Sequence, residues 1–256
     1  MNGNRDEVVM SRLRLKGRLE LNEAMTLLHI SESTARRLFS RLEEEGQAIR
    51  VHGGIRLPGI GASEYSFEQV VKSHMEEKNS IGIKACDLLK EGDVLFCDTG
   101  TTVLCFCVEL ARRIKESPFD VRVYTNSLAN FEVLSSAVPI TLIGGEYRAH
   151  RKDFAGYLAE LVIGKIHFTK CLLGTDSCDM KKYFATTDFD TARMDEIAMG
   201  NSDETIILCD SSKFSSSAHV GYASFSEVDM IVTDKGLEPG KRQTLEDLGL
   251  KVVVAE

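Results

Sequence analysis

The sequence predicts an α/β protein with a small N-terminal unit and a larger second domain. Three observations support this prediction. Residues 1–57 have the pattern of three short helices and a hairpin, and residues 58–75 begin with a glycine- and proline-containing stretch that is typical of a linker. From residue 76 to residue 256, seven short apolar runs alternate with helical patterns. This alternation favours a mostly parallel sheet covered by helices.

The N-terminal unit has the order of elements expected of a DNA-binding module. Its helices are predicted at residues 5–16, 22–28 and 32–45. Ser31 is a candidate N-cap of the third helix, because its hydroxyl can accept a hydrogen bond from a free backbone N–H. Residues 48–57 alternate around Gly53-Gly54, which indicates a two-stranded hairpin. Two short helices, a tight turn and a hairpin predict a winged helix-turn-helix, whose second helix enters the DNA major groove.

The third predicted helix has an apolar face and a basic face. Ala35, Leu38, Phe39 and Leu42 follow helical spacing and are expected in the core. Arginine can bind guanine or phosphate through two parallel hydrogen bonds, and Ser and Thr hydroxyls can bind phosphates or base edges. The predicted DNA contacts on this helix and the hairpin are Ser33, Thr34, Arg36, Arg37, Ser40, Arg41, Arg50 and His52. The alternative for both elements is a solvated surface without a DNA partner.

The distribution of charge along the chain is compatible with a nucleic-acid partner. The formal net charge of the chain is −8. Residues 1–56 contain ten Lys and Arg and eight Asp and Glu, which gives a net charge of +2. The remaining 200 residues contain 21 Lys and Arg and 31 Asp and Glu, which gives a net charge of −10. Because binding depends on where charge lies, the acidic total does not exclude DNA.

Composition also limits the location and the chemistry. No apolar run reaches the roughly 18 residues of a membrane helix, and the first twenty residues lack the apolar core of a signal peptide. These features predict a cytoplasmic protein with no membrane partner. The seven cysteines lack metal-ligand spacing, so we expect small buried side chains rather than zinc ligands or disulfides. We expect no metal and no cofactor.

A glycine loop follows the first apolar run of the larger domain. Residues 94–97 lead into Asp98, Thr99, Gly100, Thr101 and Thr102, which open a predicted helix. Free N–H groups at a helix N-terminus, together with threonine hydroxyls, suit a phosphate group. Asp98 would bond a sugar hydroxyl or hold the shape of the loop. The alternative is an ordinary capped turn between a strand and a helix.

Polar residues also follow other predicted strands. Asn126 and Ser127, Arg148 and Lys213 each come after an apolar run. Ligands of open parallel sheets collect outside the carboxyl ends of the strands, so we expect these residues to line one crevice, with Arg148 and Lys213 neutralising a phosphate. Asp176 follows another apolar run and would either accept a hydrogen bond from a sugar hydroxyl or cap the next turn.

These segments resemble the DeoR family of bacterial transcription regulators. In the N-terminal unit the resemblance rests on residues 31–37 and 49–54, and in the larger domain on residues 98–102, 125–127, 144–148 and 210–214, in the family's order. It implies an effector domain similar to ribose-5-phosphate isomerase that binds phosphorylated sugars. Two positions depart from the family pattern: Leu38-Phe39 replaces the usual Asp-Leu, and Asp195-Glu196 lies where a lysine is usual.

The sequence therefore predicts a repressor of a carbohydrate-metabolism operon rather than an enzyme. Its partners would be operator DNA, a phosphorylated sugar effector and further copies of the chain, as a homodimer or homotetramer. The sugar would act by binding one arrangement of the copies more tightly than another. One alternative is a sugar-phosphate isomerase with an appended DNA-binding unit, in which Asp98 and Lys213 would act as base and acid. Another is an effector domain used only for assembly.

Overall fold

The computed structural model describes residues 2–16, 18–44, 47–51, 53–56, 67–180, 183–216 and 218–256. The chain forms two compact units, Met1–Glu64 and Tyr65–Glu256. The second unit begins before the end of the predicted linker, 58–75, since the described residues 67–75 of that stretch belong to it. None of the helices in the described part of the chain is long and apolar enough to cross a bilayer.

The first unit contains the predicted helices and hairpin. Its helices are α1 (Asn2–Lys16), α2 (Leu21–Leu28) and α3 (Glu32–Glu44), and its strands are β1 (Arg18–Glu20), β2 (Ile49–Val51) and β3 (Gly54–Arg56). The strands form an antiparallel sheet in the order β1-β3-β2. The sequence did not predict β1, because three residues are too short for an alternating pattern. A Cβ atom on Gly54 would lie 2.3 Å from the Leu19 carbonyl oxygen, so this close pairing requires glycine.

Apolar residues from every element meet in the core of the first unit. The expected buried face of α3 is confirmed, since Ala35, Leu38, Phe39 and Leu42 are all buried. They pack with Val9, Leu13, Leu19, Ala24, Ala48 and Ile55. The polar face of α3 is therefore fixed on the outside of the unit.

The second unit contains the remaining helices and strands. Its helices are α4 (Phe67–Val70), α5 (Met75–Cys86), α6 (Thr101–Glu116), α7 (Leu128–Leu134), α8 (Tyr157–Ile163), α9 (Phe189–Gly200) and α10 (Pro239–Asp247). Its strands are β4 (Asp93–Cys97), β5 (Val121–Thr125), β6 (Ile140–Leu142), β7 (Glu146–Arg148), β8 (Asp153–Ala155), β9 (Phe168–Leu173), β10 (Ser177–Asp179), β11 (Tyr183–Thr186), β12 (Ser202–Leu208), β13 (Val220–Ser224), β14 (Met230–Asp234) and β15 (Lys251–Ala255).

All seven apolar runs of the larger domain became strands of one parallel sheet, as predicted. The strand order is β15-β14-β12-β9-β4-β5-β6. From β4 the chain adds strands in one direction to β6, and from β9 it adds them in the other direction to β15. The loops after β4 and β9 therefore diverge at a topological switch point, which is where open sheets bind ligands.

Short antiparallel strands lie outside this sheet. β7 pairs with β8, and β11 pairs with both β10 and β13. The sequence analysis missed these strands and helices α4 and α8, because their three to seven residues give too few periods for recognition.

The seven cysteines are free and buried, as the sequence predicts. Burial raises the pKa of the Cys86 and Cys178 thiols to about 12. They therefore act as small neutral side chains in the interior.

Candidate functional site

The turn between α2 and α3 aims the N-terminal half of α3 outward. His29 adopts a left-handed conformation that ends α2. The Ser31 carbonyl then accepts hydrogen bonds from the Thr34 and Ala35 N–H groups, both at 3.0 Å, while the Ser31 hydroxyl lies 2.9 Å from Thr34 Oγ1. The Ser31 side chain thus contacts the hydroxyl groups of Ser33 and Thr34 at the start of the helix.

The basic residues of α3 remain accessible at its surface. Ser33, Arg36 and Arg37 are exposed, whereas Thr34, Ser40 and Arg41 are half-buried. Arg36 is paired with Glu32 one turn earlier, at 2.7 Å, with both side chains more than half exposed. Exposed pairs of this kind are weak, so Arg36 can exchange Glu32 for a phosphate at little cost.

Residues outside α3 extend this basic surface. Arg50 from the hairpin donates from Nη1 to Ser40 Oγ at 3.1 Å. Arg41 pairs with Asp6 of α1. A surface hollow is lined by Arg5, Thr34, Arg37, Leu38 and Arg41. The hollow adds Arg5, which the sequence analysis placed on a separate helix without assigning it to DNA. His52 lies outside the described residues.

A second candidate site is a cavity at the switch point of the parallel sheet, which we call the effector cavity. Its volume is about 440 Å³ when the space open to solvent is included. It is lined by Val70, Asp98, Thr99, Gly100, Thr101, Thr102, Arg151, Gly174, Thr175, Asp176, Thr186, Thr191 and Lys213. The structure thus brings together the glycine loop, Asp176 and Lys213 from the sequence prediction.

Asp98 holds the shape of the glycine loop. Its buried carboxylate accepts hydrogen bonds from the N–H groups of Thr99, of Gly100 at 3.3 Å and of Gly174 at 3.0 Å. A Cβ atom on Gly100 would lie 3.0 Å from the Gly174 Cα atom, so the loops after β4 and β9 touch through glycine backbone. Of the two predicted roles, the geometry favours loop support.

The loop ends at an uncapped helix N-terminus. Gly100 is the N-cap of α6 and supplies no side-chain hydrogen bond, and the first turn of α6 contains no acidic residue. Thr99, Thr101 and Thr102 are buried at the cavity wall beside these free N–H groups. Such an end suits an anion.

Two lysines lie near this helix end. Lys213 lines the cavity, held on a short 3₁₀ helix (Ser211–Phe214) that Asp210 caps. Lys78 of α5 is 1% exposed, and its Nζ donates to the Val70 carbonyl at 2.6 Å. Burial lowers the pKa of Lys78, and Asp210 opposes that shift. Lys78 was not predicted, because a lone lysine in a helix has no recognisable sequence pattern.

Arg151, rather than Arg148, reaches the effector cavity. Arg148 bonds Asp153 at 2.8 and 2.5 Å and Asp188 at 2.8 Å, and it is not among the cavity-lining residues. Arg151 lines the cavity, where it pairs with Asp188 at 2.7 Å and donates to Thr187 Oγ1 at 2.5 Å. The expected phosphate contact by Arg148 is therefore not what the geometry provides.

Asn126 and Ser127 also lie away from the cavity lining. Asn126 Nδ2 donates to the Phe154 carbonyl at 2.9 Å, and the Ser127 hydroxyl caps α7 by accepting from the Asn130 N–H at 3.3 Å. Asn130 in turn donates to the Asp98 carbonyl at 2.7 Å. These residues therefore support the glycine loop without lining the cavity.

Hydroxyl-bearing residues and Asp176 form the other wall. Asp176 Oδ2 accepts from Thr186 Oγ1 at 3.0 Å and from the Thr187 N–H at 2.9 Å. This network orients the carboxylate at the cavity, and Thr191 in the first turn of α9 also lines the cavity. The wall can bind several hydroxyl groups.

Asp195 lies one turn beyond Thr191 on α9 and is fully enclosed. Its two carboxyl oxygens have no hydrogen-bond partner among the described residues. Burial raises its pKa well above the usual range, and the nearby Asp98 and Asp188 raise it further. Glu196 instead is exposed and pairs with Arg193 at 3.2 Å. Within the described residues, no group of three or more His, Cys, Asp and Glu is arranged to hold a metal ion.

The chain matches two domains of one family of regulators. Residues 5–59 match the DeoR-like helix-turn-helix domain, and residues 73–235 match the DeoR C-terminal sensor domain. The chain is 30% identical to the lactose phosphotransferase system repressor of Lactococcus lactis subsp. lactis, over 91% of each protein. It is 28% identical to a putative aga operon transcriptional repressor of Escherichia coli O157:H7, over 98% of this chain and 93% of the relative.

Among solved structures, ribose 5-phosphate isomerase A of Methanocaldococcus jannaschii is similar, with a TM-score of 0.42 and 19% identity over 56% of this chain and 55% of that one. The two domain matches and the full-length relatives carry the assignment. The chain belongs to the DeoR family of DNA-binding transcriptional regulators and is a regulator rather than an enzyme.

Proposed function

We propose that this chain represses a carbohydrate-metabolism operon in the cytoplasm, and that a phosphorylated sugar in the effector cavity controls its binding to operator DNA. The observation that carries the proposal is the presence in one chain of an outward-facing basic helix, α3, and an anion-suited cavity at the switch point of a parallel sheet. The named repressors of sugar systems among its relatives support the same function.

α3 would read the operator in the major groove. Its exposed N-terminal half offers Ser33, Arg36 and Arg37 to base edges or phosphates. The proposed flanking contacts are Thr34, Ser40, Arg41 and Arg50, to which the shared hollow adds Arg5. His52 remains a prediction from the sequence.

The cavity would bind the phosphate and the sugar at different walls. The phosphate would lie at the N-terminus of α6, with Lys213 and the threonine hydroxyls as donors. The sugar hydroxyls would bond Asp176, Thr186, Thr191 and Arg151. This arrangement selects a ligand that carries an anion at one end and several hydroxyls at the other.

The regulator would act as a homodimer or homotetramer. A single helix-turn-helix reads only a few base pairs, and paired units on symmetric half-sites multiply affinity and specificity. The effector would then favour one arrangement of the copies, and its influence on DNA binding equals its differential affinity for the two arrangements.

Thermal melting in the presence of ligands tests the effector site. We expect one or more phosphorylated pentoses or hexoses to raise the melting temperature of the second unit, because a ligand that binds only the folded state stabilises it. The unphosphorylated sugar and inorganic phosphate serve as controls. Lys213→Met should abolish the shift, whereas the exposed Lys251→Met should retain it. Equal shifts in both variants would remove Lys213 from the site.

A mobility-shift titration with DNA from upstream of the protein's own gene tests the DNA site. Arg37→Ala should weaken binding and lower the salt dependence of the affinity if Arg37 contacts a phosphate. Arg242→Ala, an exposed arginine of α10, is the matched control. Absence of any DNA binding by the unmodified protein would overturn the proposal.

A further inference from the structure

One short helix of the second unit is apolar on its outer side. α8 has seven residues, and four of them are large apolar side chains that remain exposed: Tyr157 57%, Leu158 64%, Leu161 47% and Val162 41%. Only Ala159 and Ile163 of this helix are buried. We call the four exposed residues the α8 face.

The spacing of these residues makes them one continuous surface. Positions 157, 158, 161 and 162 form two adjacent stripes at helical spacing, so they point to the same side of α8. No other helix in the described part of the chain has more than two exposed large apolar side chains. The α8 face is therefore a local concentration and differs from the scattered apolar exposure of an ordinary surface.

The area of the α8 face fits a protein interface. Four half-exposed side chains of this size present roughly 350–400 Å² of apolar surface. A standard interface buries about 800 Å² on each partner, of which somewhat more than half is apolar. The α8 face thus supplies most of the apolar area that each partner of a stable dimer needs.

The charges beside the α8 face suit a second copy of the chain. Glu160 of α8 lies 3.8 Å from Arg193 of α9, and Arg193 also pairs with Glu196. Both signs of charge are present, so a two-fold axis can set Arg193 of one copy against Glu160 of the other. A nucleic acid or an anionic membrane would instead favour an excess of cations.

We propose that the α8 face is the contact between two copies of this chain, related by a two-fold axis that passes close to α8. The inference rests on the proposed function in one respect, since paired reading helices on a symmetric operator require at least two copies. It goes further by assigning the surface that pairs them.

Site-directed cross-linking tests this contact. All seven natural cysteines are buried, so Leu158→Cys supplies an accessible thiol. A short bismaleimide should convert most of this variant to a covalent dimer on a denaturing gel. Val108→Cys, on α6 and 51% exposed, is the matched control and should remain monomeric on the gel. Equal cross-linking of the two variants, or protection of the Leu158→Cys thiol by the chain's own first unit, would overturn the proposal.

Sedimentation velocity provides an independent measurement. The dimer dissociation constant of the double variant Leu158→Glu/Leu161→Glu should be at least 100-fold higher than that of the unmodified protein. The dissociation constant of Val108→Glu should equal that of the unmodified protein. A monomeric unmodified protein, or a double variant that keeps the original mass, would contradict the α8 face as the interface. Binding of the unmodified protein to lipid vesicles that is lost in the double variant would also contradict it.

The outcome is separable from that of the proposed function. A monomeric double variant should still bind a single operator half-site through α3, with reduced affinity for the full operator. If neither the unmodified protein nor the double variant binds DNA, but their sedimentation masses are those of a dimer and a monomer, the interface is supported and the proposed function is contradicted.

Discussion

Helix α3 and the surroundings of the effector cavity both contain basic side chains, but the two regions hold them in opposite ways. On α3, Arg36 and Arg37 are exposed, and the pairing of Arg36 with Glu32 is at the surface. Near the cavity, Arg148 and Arg151 are 13% and 4% exposed and are bound to buried carboxylates. Exposed cations are free to bind a partner, whereas buried cations first stabilise the fold.

The difference predicts that changes in the two regions have separable effects. A substitution on α3 should alter DNA binding and leave stability nearly unchanged. A substitution among the buried ion pairs should alter stability before it alters ligand binding. The following variants test that separation, in order of the size of the expected effect.

The largest effect is expected for Arg148→Met. This change leaves Asp153 and Asp188 without one partner, and breaking a buried ion pair costs about 3–5 kcal/mol. Urea unfolding of the second unit measures the loss. The exposed Arg112→Met should leave the unfolding midpoint unchanged. A loss below about 1 kcal/mol for Arg148→Met would show that the buried pairs are not needed for stability.

A smaller effect, on DNA rather than on stability, is expected for Arg37→Ala. Loss of a base or phosphate contact typically costs about 1–3 kcal/mol of binding free energy, or roughly fivefold to 150-fold in affinity. The unfolding midpoint should not change, because the Arg37 side chain is exposed. A variant that loses stability and keeps its operator affinity would reverse the assignment of the two regions.

The third prediction concerns pH and the enclosed Asp195. Its raised pKa means that the folded state holds a proton that the unfolded state releases above about pH 4. The stability this group contributes is present below pH 4 and is lost as the pH rises through the folded pKa. The free energy of unfolding of Asp195→Asn should therefore rise relative to that of the unmodified protein by up to about 1.4 kcal/mol per pH unit between pH 4 and the folded pKa of Asp195, and the difference should stay constant above it.

Unfolding free energies at several pH values, from 4 to 8, measure this difference. Glu196→Gln on the same helix is the control, because Glu196 is exposed, and its curve should run parallel to that of the unmodified protein. A parallel curve for Asp195→Asn as well would show that Asp195 is ionised in the folded state.

The smallest effect is expected for Arg36→Ala in the absence of DNA. Its pair with Glu32 joins two side chains that are each 55% exposed, so its loss should cost no more than about 0.5 kcal/mol. Chemical unfolding of the first unit measures the change. A cost above about 1 kcal/mol would mean that the cations of α3 also support the fold.

The sequence predicted the parallel sheet well because its signal is local. Each of the seven core strands is a short apolar run between polar loops, and the first strand leads directly into the glycine loop 98–102. Strands β7, β8, β10, β11 and β13 were not predicted, because each has only three to five residues and because the pairing of β11 with β13 joins segments far apart in sequence. Their pairing depends on the finished fold rather than on local pattern.

The candidate site was predicted in part for the same reason. Asp98, Asp176 and Lys213 each follow a strand of the parallel sheet within five residues, and the order of strands brings them together. Both arginines pair with Asp188, but Arg148 also pairs with Asp153, whereas Arg151 lies at the cavity wall. Sequence order cannot separate two arginines that lie three residues apart and differ only in their packing.

The most direct test of the account is the affinity of the protein for its operator, measured with and without the sugar phosphate that stabilises it. We expect the operator affinity to change at least about fivefold at saturating effector. Lys213→Met should bind the operator equally well without effector and should need a much higher effector concentration for the same change. A sugar phosphate that binds the cavity and leaves operator affinity unaltered would contradict the account.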